Sequence, residues 1–451
     1  MPKAKHIDVK AMASTPLREH FGQVGLSELV TARRLFPATA RSDLQRALED
    51  MFLEQYEARL FGLHRSYNYA ALSFSDFLDT ERDPVLVGPL QHDEVDVGDP
   101  EAARCLKQAL WVARRNGLPF AVLLATSDRY GEFDGVCIEI AVPTGEGGLN
   151  LSHCFLDDLE KLVARGGCYR GKVISLEAGS RYSGKAGVVK VHKLHAVRRA
   201  DVILPSATLQ LLDRNVTEFI QQRDRLQALG MPVKKGLLFY GRPGTGKTHT
   251  IHYLASQLPD HTTLLITAGQ VAFLEEYFLL ARFLQPAMVV IEDVDLIARD
   301  RTSMGSACEE TMLNRLLNEM DGLREDAAVL FVLTTNRPEQ LEMALASRPG
   351  RIDQAIEFPM PDEEGRRKLV ALYARDLAVP DGLVVDIVRR TQGASAAFIK
   401  ELMRRAAQCL LREAEDGPLA PEHIRLALDD MLFTGGSLNA KLLGGVLSDP
   451  D

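Results

Sequence analysis

Apolar residues in the first 75 or so positions recur at helical intervals. Leu44, Leu48, Met51, Phe52, Tyr56 and Leu60 fall on one stripe, as the successive turns of a helix require. Ser42 and Gln45 have the spacing of a capping box that would open it. Such a stripe serves either as packing surface or as a partner-binding face. The acidic run His92-Asp93-Glu94-Val95-Asp96 reads as irregular. Asp99 and Pro100 then stand as N-cap and first residue of a helix that Gly117 closes. Strand-like runs follow at 120–125 and 136–142, a helix near 152–164, and strands near 172–176 and 187–194. These elements predict a separate N-terminal α+β domain over residues 1–200.

From about residue 200 the pattern changes. Short β-type apolar runs at 236–240, 264–267, 288–291, 328–335 and 355–358 alternate with helical stretches. Alternation of this kind predicts a parallel sheet covered by helices on both faces, an α/β fold. After Pro359 the pattern is helical through residue 433, which predicts a small all-helical appendage over 360–435 and a tail over 436–451. Internal repeats, low-complexity tracts and long linkers are absent from the sequence.

Composition narrows the classes. At 46% hydrophobic and 25% charged, the chain is that of an ordinary globular protein. A formal charge of −9 argues against nucleic-acid binding, which calls for a basic surface. No run approaches 18 uninterrupted apolar residues, so no membrane span is expected, and the first residues lack the apolar segment of a signal peptide. The six cysteines lie far apart with no C-x-x-C pair, which suits free thiols and a cytoplasmic location. His192 and His195, three apart on a strand, would face opposite sides and so do not make a metal pair.

Two stretches carry chemistry. The run at 236–240 ends in Gly241-Arg242-Pro243-Gly244-Thr245-Gly246-Lys247-Thr248, followed by His249, between a strand and a helix. Glycines at this spacing let backbone N–H groups curl around phosphate oxygens, and the following helix offers its positive N-terminus. Lys247 is expected to reach the β- and γ-phosphates of ATP, and Thr248 to hold Mg²⁺. The second stretch is Met288-Val-Val-Ile-Glu-Asp-Val-Asp295, a buried strand running straight into acids. Carboxylates beside a core need a cation, and the nucleotide's Mg²⁺ supplies one if this strand lies beside the 236–240 strand. Asp295 is open to a second reading, as a cap of the next helix.

Together with these motifs, four further segments make the chain resemble the AAA ATPases over roughly residues 200–433. Residues 313–322 are similar to the helix before that family's fourth strand, and Thr334-Thr335-Asn336-Arg337-Pro338 to its sensor-1 segment. Ser347-Arg348-Pro349-Gly350-Arg351-Ile352-Asp353 looks like its paired arginine-finger motif, and Gly393-Ala-Ser-Ala-Ala397 like the start of the lid helix over the adenine. The resemblance implies a large ATPase domain over 201–359 and a lid over 360–435. It implies catalytic roles for Glu292, Asp293, Asn336, Arg348 and Arg351, with Gly241, Pro243, Gly244, Thr245, Gly246, Lys247, Thr248 and His249 on the nucleotide. Mg²⁺ would be held by Thr248 and, through water, by Glu292. Fingers supplied in trans imply a ring, a hexamer as in much of the family, that remodels a protein partner. The rival reading is a scaffold that assembles on ATP and barely hydrolyses it. Three features depart from the family. Glu292-Asp293 stands where Asp-Glu is usual, an order similar to that of the AAA ATPases that assemble mitochondrial respiratory complex III. Arg242 stands where Pro is usual. No aromatic-hydrophobic-Gly pore loop lies between Gly269 and Glu292.

Overall fold

The structure is a computed structural model. It describes residues 12–65, 72–78, 84–129, 132–177, 189–297, 310–339, 351–375, 377–412 and 417–434. These fall into two compact units. One comprises the chain up to Arg170 with Ile174–His192, the other Gly171–Val173 with the chain from Lys193 onward.

The first unit is built on an antiparallel sheet of β1 (Leu29–Pro37), β2 (Glu57–His64), β3 (Leu86–Gly88), β6 (Gln108–Arg115), β7 (Leu118–Arg129) and β8 (Glu132–Pro143). Their order is β1-β8-β7-β6-β2-β3. A separate hairpin pairs β4 (His92–Val95) with β5 (Ala103–Leu106). Helix α1 (Ser14–Phe21) covers one face of the sheet through Leu17 and Phe21, packed with Leu110, Val112 and Leu123. On the other face Phe52 of α2 (Arg41–Glu54) stacks on Trp111 at 5.1 Å and meets Phe155 of α3 (Glu146–Arg165) at 5.9 Å. Two short strands, β9 (Val173–Leu176) and β10 (Val189–His192), follow.

Several expectations for this unit are corrected. The acidic run at 92–96 is a strand for most of its length, and the helix expected from Asp99 to Gly117 is instead β5 and β6. Asn116 and Gly117, at φ 50° and 81°, form the two-residue turn that joins β6 to β7. That is the Asn-Gly hairpin signal, and it overrides the weaker Asp-Pro start. The capping box does not form, because Gln45 accepts from the Leu106 amide at 3.0 Å and donates to Glu49. The helical stripe ends with α2, and Leu60 lies on β2.

In the second unit five parallel strands, β11 (Lys235–Tyr240), β12 (Thr262–Ile266), β13 (Ala287–Ile291), β14 (Val329–Thr335) and β15 (Gln354–Glu357), lie in the order β12-β13-β14-β11-β15. All residues of β13 and β14 are buried, as strands covered on both faces must be. The acidic strand β13 is therefore not next to β11. β14 stands between them, pairing Ile291 with Leu333 on one side and Tyr240 with Thr335 on the other. Apolar runs fix which segments are strands, whereas their lateral order is set by crossover connections with no local signature. α4 (Ser206–Leu212) and α5 (Phe219–Ala228) precede the sheet, and α6 (Lys247–Gln257), α7 (Leu274–Phe283), α8 (Val294–Ile297) and α9 (Glu310–Asp321) follow its strands. A helical lobe of α10 (Glu363–Ala374), α11 (Asp381–Arg390), α12 (Ala396–Arg412) and α13 (Pro421–Asp429) closes on its own core of Val370, Ile387, Ile399, Leu402 and Ile424.

Candidate nucleotide site

The C-terminal ends of β11, β13 and β14 bring the predicted residues together. After β11 the chain turns through Gly241, Gly244 and Gly246, at φ 152°, 78° and 101°. A Cβ at Gly241 would sit 2.3 Å from the Phe358 carbonyl oxygen, so only glycine fits there. Thr245 Oγ1 donates to the Arg242 carbonyl at 2.9 Å and holds the loop, while Arg242 and Pro243 are exposed. Gly246 caps α6, whose first residue is Lys247.

Lys247 is buried, and its Nζ donates to the carbonyls of Gly241 and Arg242 at 2.8 and 3.1 Å and to Asn336 Oδ1 at 2.8 Å. Burial pushes its ammonium below the usual lysine range, opposed by the nearby carboxylates of Asp293 and Asp295. Asn336 in turn donates through Nδ2 to Asp293 Oδ1 at 2.8 Å. Beside this chain, exposed Thr248 donates through Oγ1 to Glu292 Oε1 at 2.8 Å. A hydroxyl and a carboxylate oxygen side by side are a hard donor pair that suits Mg²⁺. Asp293 has φ 49°, a left-handed backbone, and its amide donates to Thr334 Oγ1 at 2.9 Å.

Residues 203–206 and 359–369, with Thr245 and Ala396, enclose a cavity of about 200 Å³ on the lid side of the loop. Its walls combine the apolar Ile203, Pro205, Pro361 and Leu369 with the polar and charged Ser206, Asp362, Glu364 and Lys368. The lid meets the loop directly, the Ala397 amide donating to the Gly244 carbonyl at 3.1 Å. His249 turns toward the segment before this cavity, its Nε2 lying 3.1 Å from the Asp201 carbonyl oxygen. Ile203 and Pro205 carry no motif and lie where the pattern places a domain boundary, so the sequence alone does not announce them.

Arg351 is engaged within the chain, its Nη2 paired with Asp321 at the end of α9, and its buried Nη1 has no hydrogen-bond partner among the described residues. Arg348 lies outside the described residues. His192 accepts or donates a 2.7 Å hydrogen bond with Ser175, and no cluster of three or more metal-binding side chains occurs among the described residues. No helix of the described residues is long and apolar enough to cross a membrane.

A glycine-rich loop between strand and helix, facing acids just past β13 and an amide just past β14, defines a P-loop nucleotide-binding protein. Residues 237–360 match the family described as "ATPase family associated with various cellular activities (AAA)". These residues are thus an AAA ATPase domain. It is 30% identical over 250 residues to 26S proteasome regulatory subunit 6A of Schizosaccharomyces pombe, covering 52% of this chain and 56% of that protein. It is 32% identical over 281 residues to ATP-dependent zinc metalloprotease FtsH 3 of Sorangium cellulosum, covering 59% and 44%. With 26S proteasome regulatory subunit 8 of Caenorhabditis elegans it shares 30% over 273 residues, 53% and 64%. The chain thus spans about half the length of the curated relatives it matches.

Proposed function

We propose that the chain is an ATP-hydrolysing, Mg²⁺-dependent remodeller of a protein partner. The observation that carries this reading is the continuous path Lys247–Asn336–Asp293 next to the Thr248–Glu292 pair. Thr248 and Glu292 would hold Mg²⁺, Glu292 through water, and the ion would neutralise charge on the β- and γ-phosphates. Lys247 meets the same phosphates. Asp293 orients the attacking water, and Asn336 holds water and γ-phosphate in register. The loop residues Gly241 to Thr248 cradle the phosphates, and Ile203, Pro205 and Leu369 bracket the base.

Residues 1–200 would recognise the partner, 201–359 form the ATPase domain, 360–435 the lid and 436–451 a tail. Arg348 and Arg351 would complete a neighbour's site in a ring, most simply a hexamer working in the cytoplasm without nucleic acid. For Arg351 this requires the Asp321 pair to open in the ring, which frees a guanidinium whose planar fork suits a transferring phosphoryl group.

Steady-state ATP turnover of the full chain tests the reading. Lys247→Ala should abolish binding of a fluorescent ATP analogue, whereas Asp293→Asn should bind it and turn over about 100-fold more slowly. Normal affinity in Lys247→Ala refutes the phosphate site. Negligible turnover of the wild type, with ATP-dependent assembly, favours the scaffold instead.

A further inference from the structure

We infer that Asp295 is a positioning residue for hydrolysis, clamping the end of β14 so that Asn336 presents its amide between Lys247 and Asp293. The inference rests on the ATPase reading above. A third acid after a buried strand is explained most simply as a cap of the helix that follows. The geometry points elsewhere. Asp295 is 3% exposed, and its Oδ1 accepts from Thr335 Oγ1 at 3.0 Å and from the Asn336 amide at 3.1 Å. Thr335 Oγ1 in turn accepts from the Arg337 amide at 2.9 Å. One buried carboxylate therefore holds Thr335 and Asn336 directly, and Arg337 is tied to the same hydroxyl. Away from water, bonds of this charge-assisted kind are strong, and leaving the donors without it is costly.

What the clamp fixes is the reach of Asn336. The amide faces a cation with its oxygen and an anion with its nitrogen, at 2.8 Å on each side. Those two charges set which way the amide is turned, because the flipped amide would oppose both. They do not set where its Cα stands. A shift of the main chain by a fraction of an ångström would break one contact or the other, and positioning errors of that size slow reactions without abolishing binding. Among the described residues, Asp295 makes no hydrogen bond to a side chain assigned to phosphate, metal or water; its bonds go to Thr335 and to the main chain of Asn336. Its charge also bears on nearby Lys247, a contribution that the Asn336→Ala background separates from the clamp.

The test is a double-mutant cycle on the full chain, reading kcat, the KM for ATP and affinity for a fluorescent ATP analogue. Asn336→Ala alone should slow turnover about 100-fold. Asp295→Ala should slow it about 30-fold with KM changed by less than about threefold, since an uncoupled sensor costs the transition state and not the ground state. Asp295→Asn, whose carbonyl can accept the same two bonds, should restore most of the rate. In the Asn336→Ala background, Asp295→Ala should cost less than about twofold further, because its target is gone. Losses that multiply, or a near-normal kcat in Asp295→Ala, overturn the inference. Should Asp295→Ala not fold, Thr335→Val decides. It removes one arm of the clamp at constant volume, and it should slow turnover about fivefold alone and not at all with Asn336→Ala. No loss alone, or an undiminished loss in that background, overturns the inference too. If Asn336→Ala itself turns over normally, the ATPase reading of Asn336 fails instead, and the two failures are distinct.

Discussion

Asp293 stands at φ 49°, where non-glycine residues are uncommon and Asp and Asn are the best tolerated. Where the resembled family usually has Glu, the shorter acid here meets Asn336 Nδ2 at 2.8 Å, and one more methylene would need a different side-chain rotamer to keep that contact. Asp293→Glu is therefore expected to lower kcat by about tenfold while leaving ATP affinity within about threefold. A Glu variant as fast as the wild type would show that the backbone does not dictate the shorter acid. The loop and both acids were legible in the sequence because phosphate binding demands glycines and a lysine at fixed intervals. Asp295's role was not legible. It depends on β14 lying against β13, a long-range placement that the third acid alone does not announce.

Between elements, the lid and the loop meet at Gly244. A Cβ there would stand 2.9 Å from both Ala397 Cβ and Ser395 Oγ, at a φ of 78°. Gly244→Ala should push α12 off the loop and weaken ATP binding about tenfold, corresponding to roughly 1.4 kcal/mol. Isothermal titration reads this directly, and unchanged affinity would mean that lid and loop act independently. Within α12, Glu401 accepts from Arg404 and Arg405 at 2.7 and 2.6 Å, and these partners hold its carboxyl down to about 2. A depressed carboxyl stabilises the fold above its ordinary value of 4.5 and loses that contribution as pH falls toward about 2. Relative to Glu401→Gln, the wild type should have its largest advantage in denaturation midpoint near neutral pH, shrinking across that window. An advantage independent of pH would count against the ion pairs. Elements with one dominant signal are legible in the sequence, α2 by its helical period and the buried strands β13 and β14 by their unbroken apolar runs. In the Asp99–Gly117 stretch two signals compete. Asp-Pro favours a helix start, but Asn116-Gly117 closes a hairpin over a run, Ala109 to Ala113, that is buried on both faces.

For the whole molecule, the order β12-β13-β14-β11-β15 places β14, which leads into Asn336, between the loop strand β11 and the acid-bearing β13, an arrangement no single segment encodes. The same placement bears on how a partner is handled. Threading a chain through a ring needs aromatic side chains free to grip it. Between β12 and β13 the aromatics are Phe273, Tyr277, Phe278 and Phe283. Tyr277 is fully buried with its hydroxyl donating to the Leu265 carbonyl at 2.9 Å, and Phe278 is buried with its ring 5.5 Å from Phe331. Both are committed to the underside of the sheet, and half-buried Phe273 is the only one of the three at the start of α7 with surface to offer. A ring of such subunits is expected to move or release a folded partner by closing between nucleotide states, a population shift rather than a pull. The measurement uses the true partner fused to a stably folded fluorescent domain. Fluorescence should persist through ATP turnover, in the wild type and in Phe273→Ala alike. ATP-dependent loss of that fluorescence, abolished by Phe273→Ala with ATPase activity intact, would establish gripping by Phe273 and end the closure model.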